Sequence, residues 1–577
     1  MTLKKVGYLL ILLPLLLTFC TSPAPPAADT GPSTTAEEEA MEEETIEEEE
    51  AMEEETNSEM EEDMAEEDAA EAELVEDEVV EEEEAPTEEP EELAEVEVEA
   101  EPTEADPSPT LPADETEEEV AFDNSIDEEE AAILMQNLIR ADLNEAERSL
   151  NRIIDARDQR FASVLIEALW ASYVGISPIQ PETIAWGLER LTGESFGINL
   201  DGWIIWYGST DLEPPPGFAT WKGSLLSIID VQFADFVNDS QPSAMRVEEI
   251  RWGGVRVDGI PPLDQSPMIS VEEATYLDDG DAVFGLSING DNRAYPLRII
   301  DWHEMANDVV GGVPVSIAYC TLCGAAIAYD GRAQNGETYD FSSSGFLFRS
   351  NKLMYDRQTR TLWNQMTGRP VLGELVEDED AKLDILPIVL TSWGEWKELH
   401  PDTQVLDVET GFSRIYDTGA AYAHYFSSAG TMFPVWQQSD DLALKDQVYA
   451  ITFDEDRKAY PIDLLIEEVV VNDTFADQEL VLIAPDEKIL VEGENRRTSQ
   501  TVTYSTGAAV RAYERNGHTF ELGEDSNQLI DEDGNVWEIT EDALIGPDGS
   551  ELPRLPGHLA YWLGWFGFFP DTELYEG

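Results

Sequence analysis

The sequence is poor in cysteine and histidine and, over a long first part, has no basic residues. Three cysteines and five histidines occur in 577 residues, so a Cys-x-x-Cys pair supplies at most half of a full zinc-finger signature. Lys and Arg are absent between Lys5 and Arg140, and the formal net charge is -93. Because nucleic acid is also a polyanion, this charge argues against nucleic acid as a partner.

Residues 1–20 predict an export signal. Two lysines precede an apolar run over 6–19, which is short for a membrane-spanning helix. Cys20 follows directly, and this arrangement resembles a bacterial lipoprotein signal, in which the cysteine is lipidated after cleavage. Phe19 departs from the small residue usual there, and ordinary cleavage near Ala24 is the alternative. Either route places the mature protein outside the cytoplasm, lipid-anchored at the cell membrane or secreted.

Residues 21–126 predict a disordered, Glu-rich linker. The segment repeats Glu, Ala, Pro and Thr and has few aromatic residues, so it cannot bury enough apolar surface to fold. Repulsion between its carboxylates should keep it extended. We expect a tether that holds a folded part off a membrane through the N-terminal lipid, with solubility alone as the alternative.

Residues 127–240 predict a small all-α helical module. A helix is expected over about 161–173, and Pro181 is a favourable first-turn residue for another helix that stops at Gly193. Three tryptophans flank a proline-rich turn: Trp203, Trp206 and Trp221. We expect them to pack against the next domain, because aromatic side chains contribute large burial energies. A ligand-binding cluster is the alternative.

The rest of the chain predicts two copies of one β-rich unit. Residues 281–296 and 446–461 each read as a strand, a turn and a strand ending in Ala-Tyr-Pro, and further matches follow at the same offset. We therefore expect tandem repeat units at 270–415 and 440–577, packed as one body. With the helical module and the disordered acidic tether before them, the expected fold class is α+β.

The first copy holds reactive residue types that the second copy lacks. Both copies keep Ala-Tyr-Pro, Asn-Asp and Gly-Ala-Ala, which indicates a shared scaffold. Residues that only the first copy has are candidates for catalysis or binding. The second copy has no thiol or imidazole at the positions of four residues of the first: His303, Cys320, Cys323 and His400.

Three interpretations of Cys320-Thr-Leu-Cys323 stay open. A reactive dithiol would use His303 and His400 as proton carriers. The strand predicted at 325–329 stands where thioredoxin has a helix, so a thioredoxin fold is not expected. A metal site would bind copper or zinc through all four side chains. A structural disulfide would brace a turn, with each histidine satisfied by a backbone carbonyl.

Polar residues after the motif are candidates for orienting a substrate. Arg349 and Asn351 are expected to contact a polar or anionic group, and Asp356 and Arg357 follow in the same strand-turn-strand. The alternative for Asp356 and Arg357 is an ion pair within a hairpin, since exposed pairs are common and weak.

Together these motifs resemble the domain of unknown function family 3179, which occurs in bacteria and haloarchaea. The resemblance covers about 270–577. It rests on Tyr319-Cys-Thr-Leu-Cys-Gly324, Phe341-Ser-Ser-Ser-Gly345, Ser350-Asn-Lys-Leu-Met-Tyr-Asp-Arg-Gln-Thr359, Leu362-Trp363 and Trp393-Gly-Glu-Trp396 through Thr403. Relatives usually carry Cys-Pro-Leu-Cys, and some have selenocysteine at a cysteine position, which implies redox or selenol chemistry. Thr321 replaces that proline here. The family implies no established activity and no known cofactor.

We therefore expect an exported, surface-tethered protein with a thiol-based redox site. Cys320 or Cys323 would be the nucleophile and the other its resolving partner. The activity would be that of a thiol oxidoreductase that requires no cofactor, with a redox partner protein or a small thiol or oxidant as reaction partner. The alternatives are a copper- or zinc-binding module without turnover, and a structural or interaction protein with a bracing disulfide.

Overall fold

The computed structural model describes residues 125–435, 437–496 and 498–577. The predictions for the export signal, for Cys20 and for the acidic linker up to residue 124 lie outside these residues. The described part is α+β, with a helical module followed by a β-rich body. None of its helices is both long enough and apolar enough to cross a membrane.

The helical module begins with side-chain caps and ends before the first strand of the body. Within the described residues its α-helices are α1 (Glu128–Arg140), α2 (Leu143–Ala156), α3 (Ala162–Tyr173), α4 (Pro181–Thr192), α5 (Leu200–Gly208), α6 (Phe218–Leu226) and α7 (Phe233–Phe236). Asp127 and Asp142 accept amide hydrogen bonds that cap α1 and α2. The predicted helices α3 and α4 are confirmed, and Gly193, in the left-handed conformation, ends α4.

The tryptophans near the proline-rich turn belong to the core of the helical module. The Trp203 indole donates to the Gly197 carbonyl, and the Trp221 indole donates to the Met135 carbonyl. Trp206 packs against the same core. The prediction that these side chains pack against the next domain is therefore wrong, because the module's own helices cover them.

A buried ion pair joins the module to the body. Lys222 is fully enclosed, and its Nζ lies 2.8 Å from Glu167 Oε1 and also donates to the Val247 and Ile250 carbonyls. Arg251 in the first strand of the body contacts the same carboxylate at 2.6 Å. Charges this deeply buried are tolerated only when paired and hydrogen-bonded, so the junction is specific.

The first half of the body consists of three five-stranded sheets. Its elements are β1 (Ile250–Trp252), β2 (Leu263–Asp264), β3 (Met268–Ser270), β4 (Ala282–Ile288), β5 (Asp291–Pro296), α8 (Leu297–His303), β6 (Met305–Val310), β7 (Val313–Cys320), β8 (Ala325–Asp330), β9 (Phe341–Phe348), β10 (Asn351–Asp356), β11 (Leu362–Asn364), β12 (Arg369–Leu372), β13 (Ile385–Leu386), β14 (Val389–Ser392), α9 (Trp393–Leu399) and β15 (Gln404–Leu406). The sheet orders are β1-β9-β10-β11-β12, β13-β8-β7-β6-β2 and β14-β4-β5-β15-β3.

A linker that contains α10 (Ala423–Phe426) leads to the second half. The elements of that half are β16 (Gln447–Phe453), β17 (Asp456–Pro461), α11 (Ile462–Glu468), β18 (Val470–Phe475), β19 (Gln478–Ile483), β20 (Ile489–Asn495), β21 (Gln500–Gly507), β22 (Arg511–Glu514), β23 (Phe520–Leu522), β24 (Gln528–Asp531), β25 (Val536–Ile539), β26 (Ala543–Ile545), β27 (Glu551–Leu555), β28 (His558–Tyr561), α12 (Trp562–Phe568) and β29 (Glu573–Leu574). Its sheets run β28-β16-β17-β29, β18-β19-β22-β27-β26-β25-β24-β23 and β20-β21.

The two halves present elements in the same order. The run β4-β5-α8-β6-β7 corresponds to β16-β17-α11-β18-β19, and β15 pairs parallel with β5 as β29 does with β17. Trp396 and Trp565 each donate an indole hydrogen bond of 2.9 Å, to the hydroxyls of Thr403 and Thr572 respectively. Equivalent positions therefore make equivalent contacts.

One buried core joins the halves where the two cysteines lie. Cys320 and Cys323 pack in the same hydrophobic cluster as Val448, Ala560 and Trp562 of the second half. The cysteine turn is thus placed at the seam between the halves rather than on an outer surface.

Candidate functional site

The two cysteines close a tight turn between neighbouring strands. Strand β7 ends at Cys320, β8 begins at Ala325, and the Cys323 amide donates to the Cys320 carbonyl. The sulfur atoms are 2.07 Å apart, which is bonding distance, and the Cα atoms are 5.3 Å apart. The strand predicted after the motif is confirmed, so no helix follows the turn to lower a thiol pKa through its dipole.

Both sulfur-bearing side chains are almost completely enclosed. Cys320 is 2% exposed and Cys323 is 0% exposed. Gly564 of α12 packs so closely that a Cβ atom there would lie 2.8 Å from Cys323 Cβ, so only glycine fits. The Ser350 carbonyl is 3.8 Å from Cys323 Sγ. A reactant must therefore displace part of this covering to reach the disulfide.

Two contacts from later in the chain hold the turn in place, and a third holds the helix that covers it. The Tyr561 amide donates to the Cys323 carbonyl at 2.7 Å, and the Tyr425 hydroxyl donates to the Leu322 carbonyl at 2.7 Å. Asn351, which begins β10, donates to the Gly564 carbonyl at 2.9 Å. The second half and the linker thus bind the backbone of the Cys-x-x-Cys segment itself.

Gln365 hydrogen-bonds the backbone on both sides of the turn. Its Nε2 donates to the carbonyls of Ala318 and Ala325, both at 3.0 Å, and so ties the two strands together on either side of the cysteines. The side chain is buried, and the Tyr329 hydroxyl donates to its backbone carbonyl. Sequence reasoning assigned this glutamine no role in the site, because its contacts depend on strands far from it in the chain.

Several buried polar atoms around the turn have no hydrogen-bond partner among the described residues. They are Thr321 Oγ1, Asn351 Oδ1 and Gln365 Oε1. Leaving a buried polar atom unpaired costs about 1–3 kcal/mol, so such atoms are rare and mark places where a ligand, a water molecule or a reacting group belongs.

A buried lysine completes the polar surroundings of the cysteines. Lys352 Nζ donates to the backbone carbonyls of Glu304 and Tyr319, at 3.0 and 3.4 Å, and lies 3.3 Å from the Glu304 carboxylate. The side chain is 3% exposed. Burial lowers the pKa of Lys352, while the neighbouring Glu304 opposes that shift. Tyr319 directly precedes Cys320, so Lys352 contacts the backbone next to the turn.

His303, the last residue of α8, contacts the first part of the linker rather than the cysteines. Its Nδ1 pairs with the Pro261 carbonyl at 2.8 Å, and its Nε2 pairs with the Tyr416 hydroxyl at 2.6 Å. Phe412 packs against the ring. Burial lowers the pKa of His303 to about 4, so the ring is neutral near pH 7 and holds the linker to α8.

His400 belongs to a charge cluster between the halves. The ring packs at a tilt against Trp396, with 4.2 Å between the ring centroids, and its Nε2 lies 3.7 Å from Glu541, which also pairs with Arg511 and Arg554. The two arginines hold the pKa of Glu541 well below its ordinary value despite burial. The predicted proton-carrier roles therefore lack the required geometry, because neither histidine lies with the cysteines.

The four predicted metal ligands are not brought together. The cysteines are bonded to each other, and each histidine is engaged elsewhere. In the part of the chain that the structure describes, no group of three or more His, Cys, Asp or Glu side chains is arranged to hold a metal ion. The copper or zinc site expected from Cys320, Cys323, His303 and His400 is not formed.

Of the predicted substrate-orienting residues, only Asn351 lies beside the disulfide. Arg349 pairs with the buried Glu249 at 2.7 Å. Asp356 accepts hydrogen bonds from the following turn and from the Trp363 indole. Arg357 pairs with Asp264 instead of Asp356, so the alternative of a hairpin ion pair is also wrong. These three side chains therefore tie segments of the body together.

Asp301 is a buried acid that the residue pattern had left unnoticed. It is 3% exposed, and its Oδ1 has no partner among the described residues. Burial, assisted by Glu304, raises the pKa of Asp301 well above its ordinary value. The matching position in the second half is Ile466. Comparison of the two copies would therefore have revealed Asp301 as a polar residue confined to the first.

A small cavity lies behind the turn, between the halves. Its volume is about 30 Å³, and its polar lining includes Tyr319, Tyr449, His558 and Tyr561. Gly324 forms part of its wall, and a Cβ there would lie 2.9 Å from the Tyr561 ring. Space of this size is enough for one or two water molecules and too small for a large ligand.

Comparison with known proteins identifies a family. The model of a family described as protein of unknown function (DUF3179) matches residues 257–572. No curated protein and no solved structure matches the chain.

Proposed function

This chain belongs to the DUF3179 family, whose function is unknown, and we propose that it catalyses thiol–disulfide exchange at Cys320 and Cys323. The observation that carries the proposal is the polar environment of the pair. Unpartnered atoms of Thr321, Asn351 and Gln365 surround a buried disulfide. A disulfide that only braced a turn would gain nothing from them, because each costs stability.

A disulfide that closes so small a ring adds little stability, so bracing alone is a poor explanation for it. The two cysteines are three positions apart, and a cross-link that closes about four residues removes only about 2 kcal/mol of chain entropy. The turn already has other ties, from Tyr561, Tyr425 and Gln365. The cysteines therefore contribute little to holding the turn that its hydrogen bonds do not already provide.

The exchange proceeds through two attacks that together move two electrons. A substrate thiolate attacks Sγ of Cys320, the slightly more exposed of the two residues, so the Cys320–Cys323 bond breaks and a mixed disulfide forms. Cys323 leaves as a thiolate and takes a proton. A second substrate thiolate then attacks the substrate sulfur of the mixed disulfide and releases Cys320. The substrate leaves as a disulfide, and both cysteines end as thiols that carry the two substrate protons.

Lys352 replaces the histidines as the group that stabilises a thiolate. Its ammonium is held next to the Tyr319 carbonyl, one residue from Cys320, in surroundings where water screens charge poorly. A positive group of this kind lowers a cysteine pKa and makes it a better leaving group. Burial lowers the pKa of Lys352, and the neighbouring Glu304 opposes that shift.

The test is turnover by the full chain in a Cys20→Ser background, which leaves Cys320 and Cys323 as its only cysteines. A dithiol peptide is the reductant, a small organic disulfide regenerates the oxidised protein, and mass spectrometry follows the peptide. We expect turnover that is abolished by Cys320→Ser or Cys323→Ser and reduced at least tenfold by Lys352→Met. Unchanged rates in both serine variants would overturn the proposal.

The second candidate function is a bracing disulfide in an interaction protein. The observation that favours it is the near-complete burial of both cysteines. On this account the serine variants lose stability but bind partners normally, and the wild type shows no turnover with any thiol. The turnover experiment therefore separates the two candidates.

The proposed function includes a duplicated scaffold with one specialised copy. Support comes from contacts that recur at matching positions of the two halves: Tyr295 to Asp308 and Tyr460 to Asp473, Asn307 to Phe341 and Asn472 to Phe520, Asp356 to Trp363 and Asp531 to Trp537. In this proposal the units at 270–415 and 440–577 share an origin, and only the first kept the chemistry.

Export and membrane attachment through Cys20 complete the proposal. The basic start, the apolar run and the cysteine that follows it support this route. An oxidising compartment outside the cytoplasm would keep the pair as a disulfide between turnovers. Labelling of bacteria with a fatty-acid analogue should mark the full chain but not a Cys20→Ala variant, and equal labelling of both would refute lipidation at this residue.

A further inference from the structure

The linker between the two halves lies directly over the disulfide turn. Residues 407–446 join β15 to β16, and their described part contains α10 and no strand. Loops of this length without much regular structure are uncommon in compact domains and usually serve as lids or binding segments. This segment also falls between the two matching halves, so the shared scaffold does not account for it.

The linker touches the backbone of the cysteine turn and the strand beside it. The Tyr425 hydroxyl donates to the Leu322 carbonyl, between the two cysteines. The Ser350 hydroxyl donates to the Pro434 carbonyl, and Ser350 is also the residue whose own carbonyl faces Cys323 Sγ. Val435 and Tyr425 pack with Leu322 in one apolar cluster.

The linker is fixed at places away from the disulfide as well. His303 and Thr410 both hydrogen-bond the Tyr416 hydroxyl. Lys445 lies over the Tyr425 ring and donates to the Tyr425 and Ser428 carbonyls. The amides of Trp562 and Leu563 donate to the Asp446 and Leu444 carbonyls and hold the last part of the linker to α12. Tyr416 holds its first part to α8, so both ends can stay attached while residues 420–435 lift and the contacts of Lys445 within the linker break.

We infer that the surface under residues 407–446 binds an extended, cysteine-bearing segment of a polypeptide, which displaces the middle of the linker and presents its thiol to Cys320. This inference rests on the proposed exchange function and names its substrate class. It includes no chemical step beyond the exchange already described.

The contacts that the linker makes favour a polypeptide over a small thiol. Pro434 supplies a backbone carbonyl to Ser350, Tyr425 supplies an aromatic side chain with a hydroxyl, and Val435 supplies an aliphatic one. An extended peptide carries all of these groups at once. A low-molecular-weight thiol such as glutathione has amide carbonyls but no aromatic or aliphatic side chain, so it would uncover the buried cluster without refilling it.

The first experiment compares substrates and a linker variant in the Cys20→Ser full chain. An unstructured dithiol peptide with a tyrosine near each cysteine should have a kcat/KM at least tenfold above that of glutathione. Tyr425→Phe should raise the rate of disulfide reduction by either thiol about fivefold, the effect of one lost hydrogen bond on cover opening. The matched control is Tyr575→Phe, whose hydroxyl binds Glu468 in the second half, and it should leave the rate unchanged.

A second measurement follows the linker directly. On binding the peptide to a Cys323→Ser protein, amide hydrogen exchange should rise in residues 420–435 and fall in β10. If Tyr425→Phe does not fold, Ser350→Ala takes its place in the rate comparison, because it removes the Pro434 contact.

The outcomes separate this inference from the exchange function beneath it. Absence of turnover with every thiol refutes the exchange function and the substrate assignment together. Turnover with glutathione at or above the peptide rate keeps the exchange function and overturns the polypeptide surface. Equal reduction rates for wild type and the linker variants overturn the displaced cover.

Discussion

Reduction of the Cys320–Cys323 bond should cost the protein little stability. The cross-link closes a ring of about four residues, for which the chain-entropy relation gives about 6 cal/mol/K, or about 2 kcal/mol at 25 °C. The hydrogen bonds from Tyr561, Tyr425 and Gln365 to the turn do not involve the sulfurs. They remain after reduction, so the turn keeps its shape.

The corresponding change in melting temperature is small because the folded part is large. At about 2.1 cal/mol/K per residue over roughly 450 residues, the unfolding entropy is about 1 kcal/mol/K. A loss of about 2 kcal/mol then lowers Tm by roughly 2 °C. The assay is differential scanning calorimetry of the Cys20→Ser full chain, oxidised and after complete reduction.

A much larger change would refute this reasoning. If reduction lowered Tm by 10 °C or split the transition into separate peaks, the disulfide would be holding the two halves together. The pair would then be a brace, and its polar surroundings would need another explanation. Cys20→Ser alone serves as the control, since it should melt like the wild type in the oxidised form.

Three further perturbations follow from the packing of the body. Gly564→Ala should destabilise the protein by about 1–3 kcal/mol in urea unfolding, since the added Cβ would meet Cys323. The control is Gly567→Ala in the same helix, where the nearest atom to an added Cβ is 3.9 Å away, and this variant should be as stable as the wild type or more stable. Asp356→Ala should cost about 2–4 kcal/mol, because a buried carboxylate accepts hydrogen bonds from the turn and an indole; a change below 0.5 kcal/mol would contradict that role. His303, with a folded pKa of about 4 against 6.5, binds fewer protons than in the unfolded chain between those values. The contribution of His303 to the free energy of unfolding is fully present above pH 6.5 and falls by up to about 3 kcal/mol as pH is lowered to 4. The free energy of urea unfolding should therefore fall less over this pH range in His303→Gln than in the wild type. Parallel curves for the two proteins would refute this role.

The fold could be anticipated where local signals and internal matching agree. Pro181 and Gly193 marked a helix because one suits a first turn and the other a left-handed end. The apolar run after Cys323 predicted strand β8, which is present. The α+β class followed from the same patterns, with helices in the module and strands in the body.

The candidate site could be anticipated only in part. The cysteine pair and Asn351 were identified, because thiols are scarce and the polar run after them is local. Lys352 and Gln365 were missed, since their importance comes from contacts with β7 and β8 across the sheet. Spacing along one strand does not show which neighbour a side chain will meet.

The two histidines show that a residue type found in only one half need not belong to the candidate site. His303 and His400 were grouped with the cysteines because the second copy lacks them. In the folded chain, His303 holds the linker and His400 joins a charge cluster between the halves. Both residues belong to the first half, and the contacts that place them are with residues other than the cysteines.

The most direct test of the central claim is the reduction potential of the Cys320–Cys323 pair in the Cys20→Ser full chain. The oxidised and reduced forms are equilibrated with defined dithiol and disulfide buffers and quantified by mass spectrometry after alkylation. An exchange centre should equilibrate reversibly, with a potential between about -270 and -120 mV, the range of known thiol oxidoreductases. A potential below about -300 mV, typical of structural disulfides, would contradict the proposed function.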